Sequence, residues 1–188
     1  MREILIEIQA GTVMRNRFAS FMGLDKYKYI MEHVYITDVS KDKEFQKVFS
    51  NFYGLSRSGK EWEEKFYNLF ETYKNGNKNY AFLLKELSNR TGKLEASFAS
   101  KICATLDPNM PILDRFVLQN LNLKLPYPES KNRIEKTISI YNEIQKWYEE
   151  YLETDNAKEC IALFDKIFPD YKWVSDVKKI DFYLWSMR

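Results

Sequence analysis

The chain has 188 residues, 45% of them apolar and 16% aromatic, with a formal net charge of +2. That length suits one large domain or two small lobes sharing a core, and the apolar and aromatic content excludes a disordered chain. The near-balanced charge excludes bulk electrostatics as a basis for binding, so contact with nucleic acid needs a local cationic patch.

Single residues narrow the chemistry. His33 is the only histidine, which excludes histidine-based triads and multi-histidine metal sites within one chain; no metal and no cofactor are expected. Cys103 and Cys160 stand inside apolar helical patterns and read as buried, reduced thiols rather than a disulfide. No apolar run reaches the roughly 18 residues of a membrane span, so no membrane partner is expected. The first residues, M-R-E-I-L-I-E-I-Q-A, carry acids within their apolar part and make a poor signal peptide, which predicts a cytoplasmic protein.

In chain order, residues 3–10 fit both a helix face (Ile4, Leu5, Ile8) and an alternating strand (Ile4, Ile6, Ile8). Helix is favoured because no partner strand follows. Thr12 to Phe21 continues helically to a stop at Gly23, and Asp25 opens a short aromatic helix through Tyr27, Ile30 and Met31 toward Val34. Ser40 is the expected N-cap of a helix carrying Phe45, Val48, Phe49 and Phe52, closed by Gly54. Ser58-Gly59-Lys60-Glu61 has the form of a capping box. It introduces a helix with Trp62, Phe66, Leu69, Phe70 and Tyr73 on one stripe and a stop at Asn75-Gly76. Asn79 starts the next, with Tyr80, Leu83, Leu84 and Leu87, ending near Gly92.

Ala99, Ile102, Cys103 and Leu106 share one face of a further helix, which Asp107-Pro108-Asn109 ends, because a residue before proline leaves the α region. Pro111 stiffens the approach to Asp114, a carboxylate placed to cap the next helix. Pro126-Tyr127-Pro128 makes an extended break. Ser130 opens the longest helix, through Ile134, Ile138, Tyr141, Ile144, Tyr148 and Tyr151. Thr154 or Asp155 caps the one after it, with Cys160, Ile161, Phe164 and Ile167 inside. Ser175 caps the last, with Val177, Ile180, Leu184 and Trp185 facing inward. The pattern predicts an all-α protein of about eight to ten helices. It would form one helical domain over residues 1–188, or two lobes of about 1–90 and 91–188 sharing a core.

Several features invite a functional reading. Ser58-Gly59-Lys60 is similar to the end of a phosphate loop but lacks the strand and the upstream glycine spacing. Glu61, Glu63, Glu64, Glu149 and Glu150 are most simply solvated helix faces. Asp114 differs because its surroundings are apolar and stiffened. It is a helix cap, or an ionised carboxylate that stabilises developing positive charge or positions a water.

The run Phe98-Ala99-Ser100-Lys101-Ile102-Cys103, followed by Pro111-Ile112-Leu113-Asp114-Arg115-Phe116-Val117 and the ending Leu121-Asn122-Leu123, resembles the helix-hairpin-helix DNA glycosylase superfamily. The resemblance covers about 35 residues. It implies a DNA-glycosylase-like fold, DNA as partner, a role in base-excision repair and Asp114 as the catalytic carboxylate. Lys93, Ser97, Lys101 and Arg115 are the residues it places nearest DNA. Ser97 stands where bifunctional members carry a lysine, so the activity implied is monofunctional. The family's glycine-rich hairpin is here Lys93-Leu94-Glu95 with only Gly92 nearby, a departure in which Glu95 would repel a phosphate.

From Arg90 to Lys124 five cations face three acids, the whole net surplus of the chain. Trp62, Tyr80 and Trp147 are candidates to stack on an extruded base, although helical spacing assigns such rings first to the core. The chain also resembles a group of uncharacterised bacterial proteins sharing P-I-x-D and a terminal D-x-x-L-W helix, here Asp181 to Trp185. A non-enzymatic helical binding module that keeps the fold without the chemistry is the alternative.

Overall fold

A computed structural model describes residues 23–55, 59–76 and 79–186. Among these residues the chain is all-helical, with nine α-helices, one 3-10 turn and no strand. The helices expected over residues 3–10 and 12–21, and the Ser58 half of the capping box, lie outside the described residues. The described chain divides into two units between Asp107 and Pro108.

The unit before that division holds α1 (Gly23–His33), α2 (Lys43–Tyr53), α3 (Lys60–Tyr73), α4 (Tyr80–Thr91) and α5 (Ala96–Leu106). Its core is aromatic. Phe49 is fully buried on α2, with the rings of Phe45, Tyr53, Phe66, Tyr67 and Phe70 all within 6.0 Å centroid to centroid. The expected stripe of α3 is present at Phe66, Leu69 and Phe70, and Tyr67 joins it. Tyr67 is admitted to the interior because its hydroxyl reaches the Gln46 carbonyl at 3.0 Å and Ser50 Oγ at 2.9 Å.

Polar residues mark most helix ends where the sequence put them. Asn79 caps α4 by accepting from the Phe82 amide, and Gly92 closes it at φ 72°. Gly54 closes α2 at the same φ. Three expectations need correction. Gly23, expected as a stop, is helical. Asp42, not Ser40, caps α2, accepting from the Phe45 amide at 2.8 Å. Ser40 is instead drawn into the preceding turn, where both its hydroxyl and its amide bond to Asp38 Oδ1. The longest helix starts at Arg133 behind Asn132, whose φ of 55° suits an asparagine, and not at Ser130.

The unit after Asp107 holds α6 (Arg115–Asn120), α7 (Arg133–Leu152), α8 (Asp155–Ile167), a 3-10 turn (Pro169–Tyr171) and α9 (Asp176–Ser186). Thr154 caps α8 through the Ala157 amide, and Ser175 Oγ accepts from the Lys178 amide at the start of α9. Helix α9 packs against α6, α7 and α8. Of the expected apolar stripe Val177, Ile180 and Leu184 are buried and Trp185 is half-buried, and Lys178, Lys179 and Asp181 are buried too.

Both cysteines are buried and free. Burial pushes the Cys103 thiol up to about 12 and raises that of Cys160. The native protein is therefore expected to leave both thiols unreacted toward a thiolate-titrating disulfide reagent at pH 8, with both reacting once denaturant is added. Phe49→Ala is expected to cost about 3–5 kcal/mol in urea unfolding, the penalty of emptying a close-packed aromatic site.

Candidate functional site

Asp114 is built from the backbone outward. Residues 107–114 are extended, with a turn at Pro108-Asn109, and Pro111 to Leu113 are buried. Buried extended backbone needs hydrogen-bond partners from elsewhere. Tyr141 of α7 donates its hydroxyl to the Pro111 carbonyl at 2.9 Å, and Ser175, capping α9, donates to the Pro108 carbonyl at 2.5 Å. Held from both sides, the segment delivers Asp114 in an extended conformation (φ −133°, ψ 178°) as the N-cap of α6. Its Oδ1 accepts from the Phe116 amide at 2.8 Å and the Val117 amide at 2.9 Å. The capping role is thus present in full.

Helix α9 supplies what the sequence did not flag. Ser175 meets Pro108 at one end, and the Asn120 side chain donates to the Leu184 carbonyl at 3.2 Å at the other. Two side-chain hydrogen bonds thus tie residues 108–120 to α9, and in sequence Lys178 and Asp181 lie between the two tied points of that helix. Lys178 Nζ is 2.6 Å from Asp181 Oδ2, with their side chains 6% and 10% exposed. The Tyr148 hydroxyl of α7 donates to Asp181 Oδ1 at 3.4 Å. Burial raises the Tyr148 phenol well above its ordinary value, and the charges of Asp181 and Asp114 add to the rise. Lys179, also buried, stands 2.9 Å from Asp165 Oδ1, a contact that is ionic rather than a well-aligned hydrogen bond, and 3.3 Å from Asp176. The visible signal was Lys178-x-x-Asp181, an ion-pair spacing in the terminal helix.

The residues expected near DNA divide between the units. Arg115 is exposed beside Asp114, its guanidinium 4.5 Å from the Phe116 ring. Lys93, Ser97 and Lys101 belong to the other unit, on the α4–α5 hairpin. Lys93 is exposed at the turn after Gly92, and Ser97 is half-buried in the first turn of α5. Lys101 points inward: its Nζ donates to the Tyr53 carbonyl at 2.9 Å, at the C-terminal end of α2, and lies 4.9 Å from the Phe98 ring. Glu95 also points inward, 8% exposed, with a carboxylate oxygen accepting from the Trp62 indole at 2.7 Å.

The aromatic candidates for base stacking sort clearly. Trp62 stacks on Phe66 at 5.1 Å, and Tyr80 is 3% exposed, so both belong to the interior. Trp147 lines an open groove of about 650 Å³ with Asn120, Asn122, Glu143, Lys146 and Glu150, one ring stacked on Tyr151. That groove sits at the C-terminal end of α6, whereas Asp114 sits at its N-terminal end. His33 has a structural environment, with Nδ1 2.8 Å from the Tyr29 carbonyl and its ring stacked on Tyr29. Among the described residues no group of three or more His, Cys, Asp or Glu is placed to hold a metal ion. No described helix is long and apolar enough to cross a membrane.

Asp114→Ala is expected to lower stability by about 1 kcal/mol, the loss of one N-cap, measured by chemical denaturation at neutral pH. Asp114→Asn should lose less, because the amide oxygen still accepts from Phe116 and Val117.

Compared with known proteins, the chain matches no protein-family model, no curated protein and no solved structure.

Proposed function

We propose that the chain is a DNA-binding, base-excising protein of helix-hairpin-helix glycosylase type, monofunctional, with Asp114 as its reacting carboxylate. The observation that carries this reading is the disposition of the α4–α5 hairpin. Glu95, the acid that would repel a phosphate there, is turned inward onto Trp62, and Gly92 and Lys93 are left at the surface. A glycine turn with a lysine beside it lets backbone and ammonium approach a phosphate. In the other unit, Arg115 is exposed beside Asp114. Asp114, fixed by two amides, supplies an ionised carboxylate that stabilises the positive charge developing on a deoxyribose as its base departs, or orients the attacking water.

A non-enzymatic helical binding module is the second reading, favoured by one observation. Lys101 and Asp114 each already serve the fold, one at the end of α2 and the other at the start of α6.

Oligonucleotides bearing oxidised, alkylated, deaminated or mismatched bases separate the two readings. Wild type is expected to produce alkali-labile strand breaks on one class of substrate. Asp114→Asn is expected to bind the same DNA but produce no breaks while keeping its helical circular dichroism. Lys93→Ala should flatten the log–log salt dependence of binding by about 0.9, the share of one phosphate contact. Breaks by Asp114→Asn at the wild-type rate would refute the carboxylate's role. Binding without breaks by either protein would favour the module.

A further inference from the structure

The Pro126-Tyr127-Pro128 break between α6 and α7 carries the most exposed aromatic ring among the described residues. Tyr127 is 80% exposed. Pro126 has its own φ fixed by its ring, and Pro128 restricts Tyr127 to extended backbone, so the chain that presents the ring is stiff. The Tyr127 carbonyl accepts from the Ser130 amide at 3.0 Å, closing a turn that leads toward α7. Arg133, in the first turn of α7, reaches back across it. Its Nε donates at 3.4 Å to the Pro126 carbonyl, on the peptide that joins Pro126 to Tyr127. The guanidinium is therefore anchored at the base of the exposed tyrosine.

Further cations stand next to it. Lys136 follows Arg133 by three residues on α7 and is its neighbour on the helix surface. Lys131, exposed, stands between the turn and the helix. Lys28, Lys65 and Lys146 are each paired with an acid four residues away. Among the described residues, Lys131, Arg133 and Lys136 pair with no carboxylate, and α7 has no acid three or four residues from Arg133 or Lys136. Two acids share the stretch. Glu135 is two residues from Arg133 and so does not face it. Glu129, exposed in the turn, is the acid nearest Tyr127 in the chain.

A stiffly presented ring offers a stacking face to any base, and cations beside it hold phosphates. A duplex keeps its bases stacked on one another, so such a ring serves an unpaired base. We propose that Tyr127, Lys131, Arg133 and Lys136 form a contact surface for single-stranded nucleic acid. Tyr127 stacks on one unpaired base, and the three cations hold the adjoining phosphates. The surface belongs to the unit that carries Asp114 but takes no part in its chemistry, so it stands whether or not Asp114 excises a base.

Fluorescence anisotropy of labelled oligothymidylate and oligouridylate, titrated with the full chain, tests this surface without any need for activity. Both are expected to bind alike, because neither stacking nor charge reads the 2′-hydroxyl. Tyr127→Ala should weaken binding by about fivefold or more, the loss of one base–aromatic stack. Tyr127→Phe, which keeps the stacking face, should match wild type. Lys136→Gln should flatten the log–log salt dependence by about 0.7, the share of one phosphate on a single strand. Glu129→Gln should tighten binding. These side chains are exposed, so helical circular dichroism should be unchanged in every variant. The same losses are expected in a Lys93→Ala background, which separates this surface from the α4–α5 hairpin. Inorganic polyphosphate, an anion without bases, should bind Tyr127→Ala as well as wild type. Oligonucleotide binding unchanged in Tyr127→Ala, or an equal loss there for polyphosphate or for fully paired duplex, would overturn the proposal, as would the absence of salt-dependent binding by wild type.

Discussion

The hold on residues 108–114 is the constraint on which the later half of the described chain depends. An extended segment with buried residues has carbonyls that no helix ladder satisfies, and two side-chain hydroxyls satisfy them, Tyr141 from α7 and Ser175 from the start of α9. Both bonds would be lost if α7 or α9 shifted by one turn, so they fix the register of these helices about the segment. The segment in turn ends in Asp114, whose two amide bonds start α6. Capping, burial and site geometry are consequences of one stretch of backbone that makes no regular structure of its own.

The α4–α5 hairpin obeys a different logic. Gly92 allows a left-handed turn, and the glutamate that follows is taken out of solvent by an indole N–H. A charged hydrogen bond of that kind is worth more than a neutral one, and it places the one acid of the turn where it cannot repel an anion. Lys101 shows the reverse outcome. A cation expected to serve DNA neutralises the carbonyl end of α2 instead. Two side chains of opposite charge on the same hairpin are thus both turned to the protein, leaving Lys93 as the hairpin cation whose environment is solvent.

Much of the fold was legible because it depends on local chemistry. Asn79, Asp114, Thr154 and Ser175 cap helices as their spacing to the following apolar residues implied, and Gly54 and Gly92 take the left-handed conformation that closes α2 and α4. Ser40 and Ser130 misled because several polar residues stand in a row before each helix: Asp38 draws Ser40 into the preceding turn, leaving Asp42 as the cap, and Asn132 takes the left-handed conformation ahead of Arg133. The direction of long side chains was not legible at all. Helical periodicity located Val177, Ile180 and Leu184, and the spacing of Lys178 to Asp181 allows an ion pair, but it does not say that Lys178, Lys179 and Asp181 are buried, because Tyr148 and Asp165, which meet Asp181 and Lys179, come from other helices. The candidate site was therefore half visible: the capping carboxylate could be read from its proline-stiffened approach, while the inward course of Lys101 and Glu95 could not.

A crystal structure of the protein bound to a duplex carrying a non-hydrolysable abasic-site analogue tests the central claim most directly. The account predicts the analogue's sugar ring turned out of the duplex with its anomeric face against the Asp114 carboxylate. A bound duplex whose sugars all remain remote from Asp114 would contradict it and leave Asp114 as the cap of α6 alone.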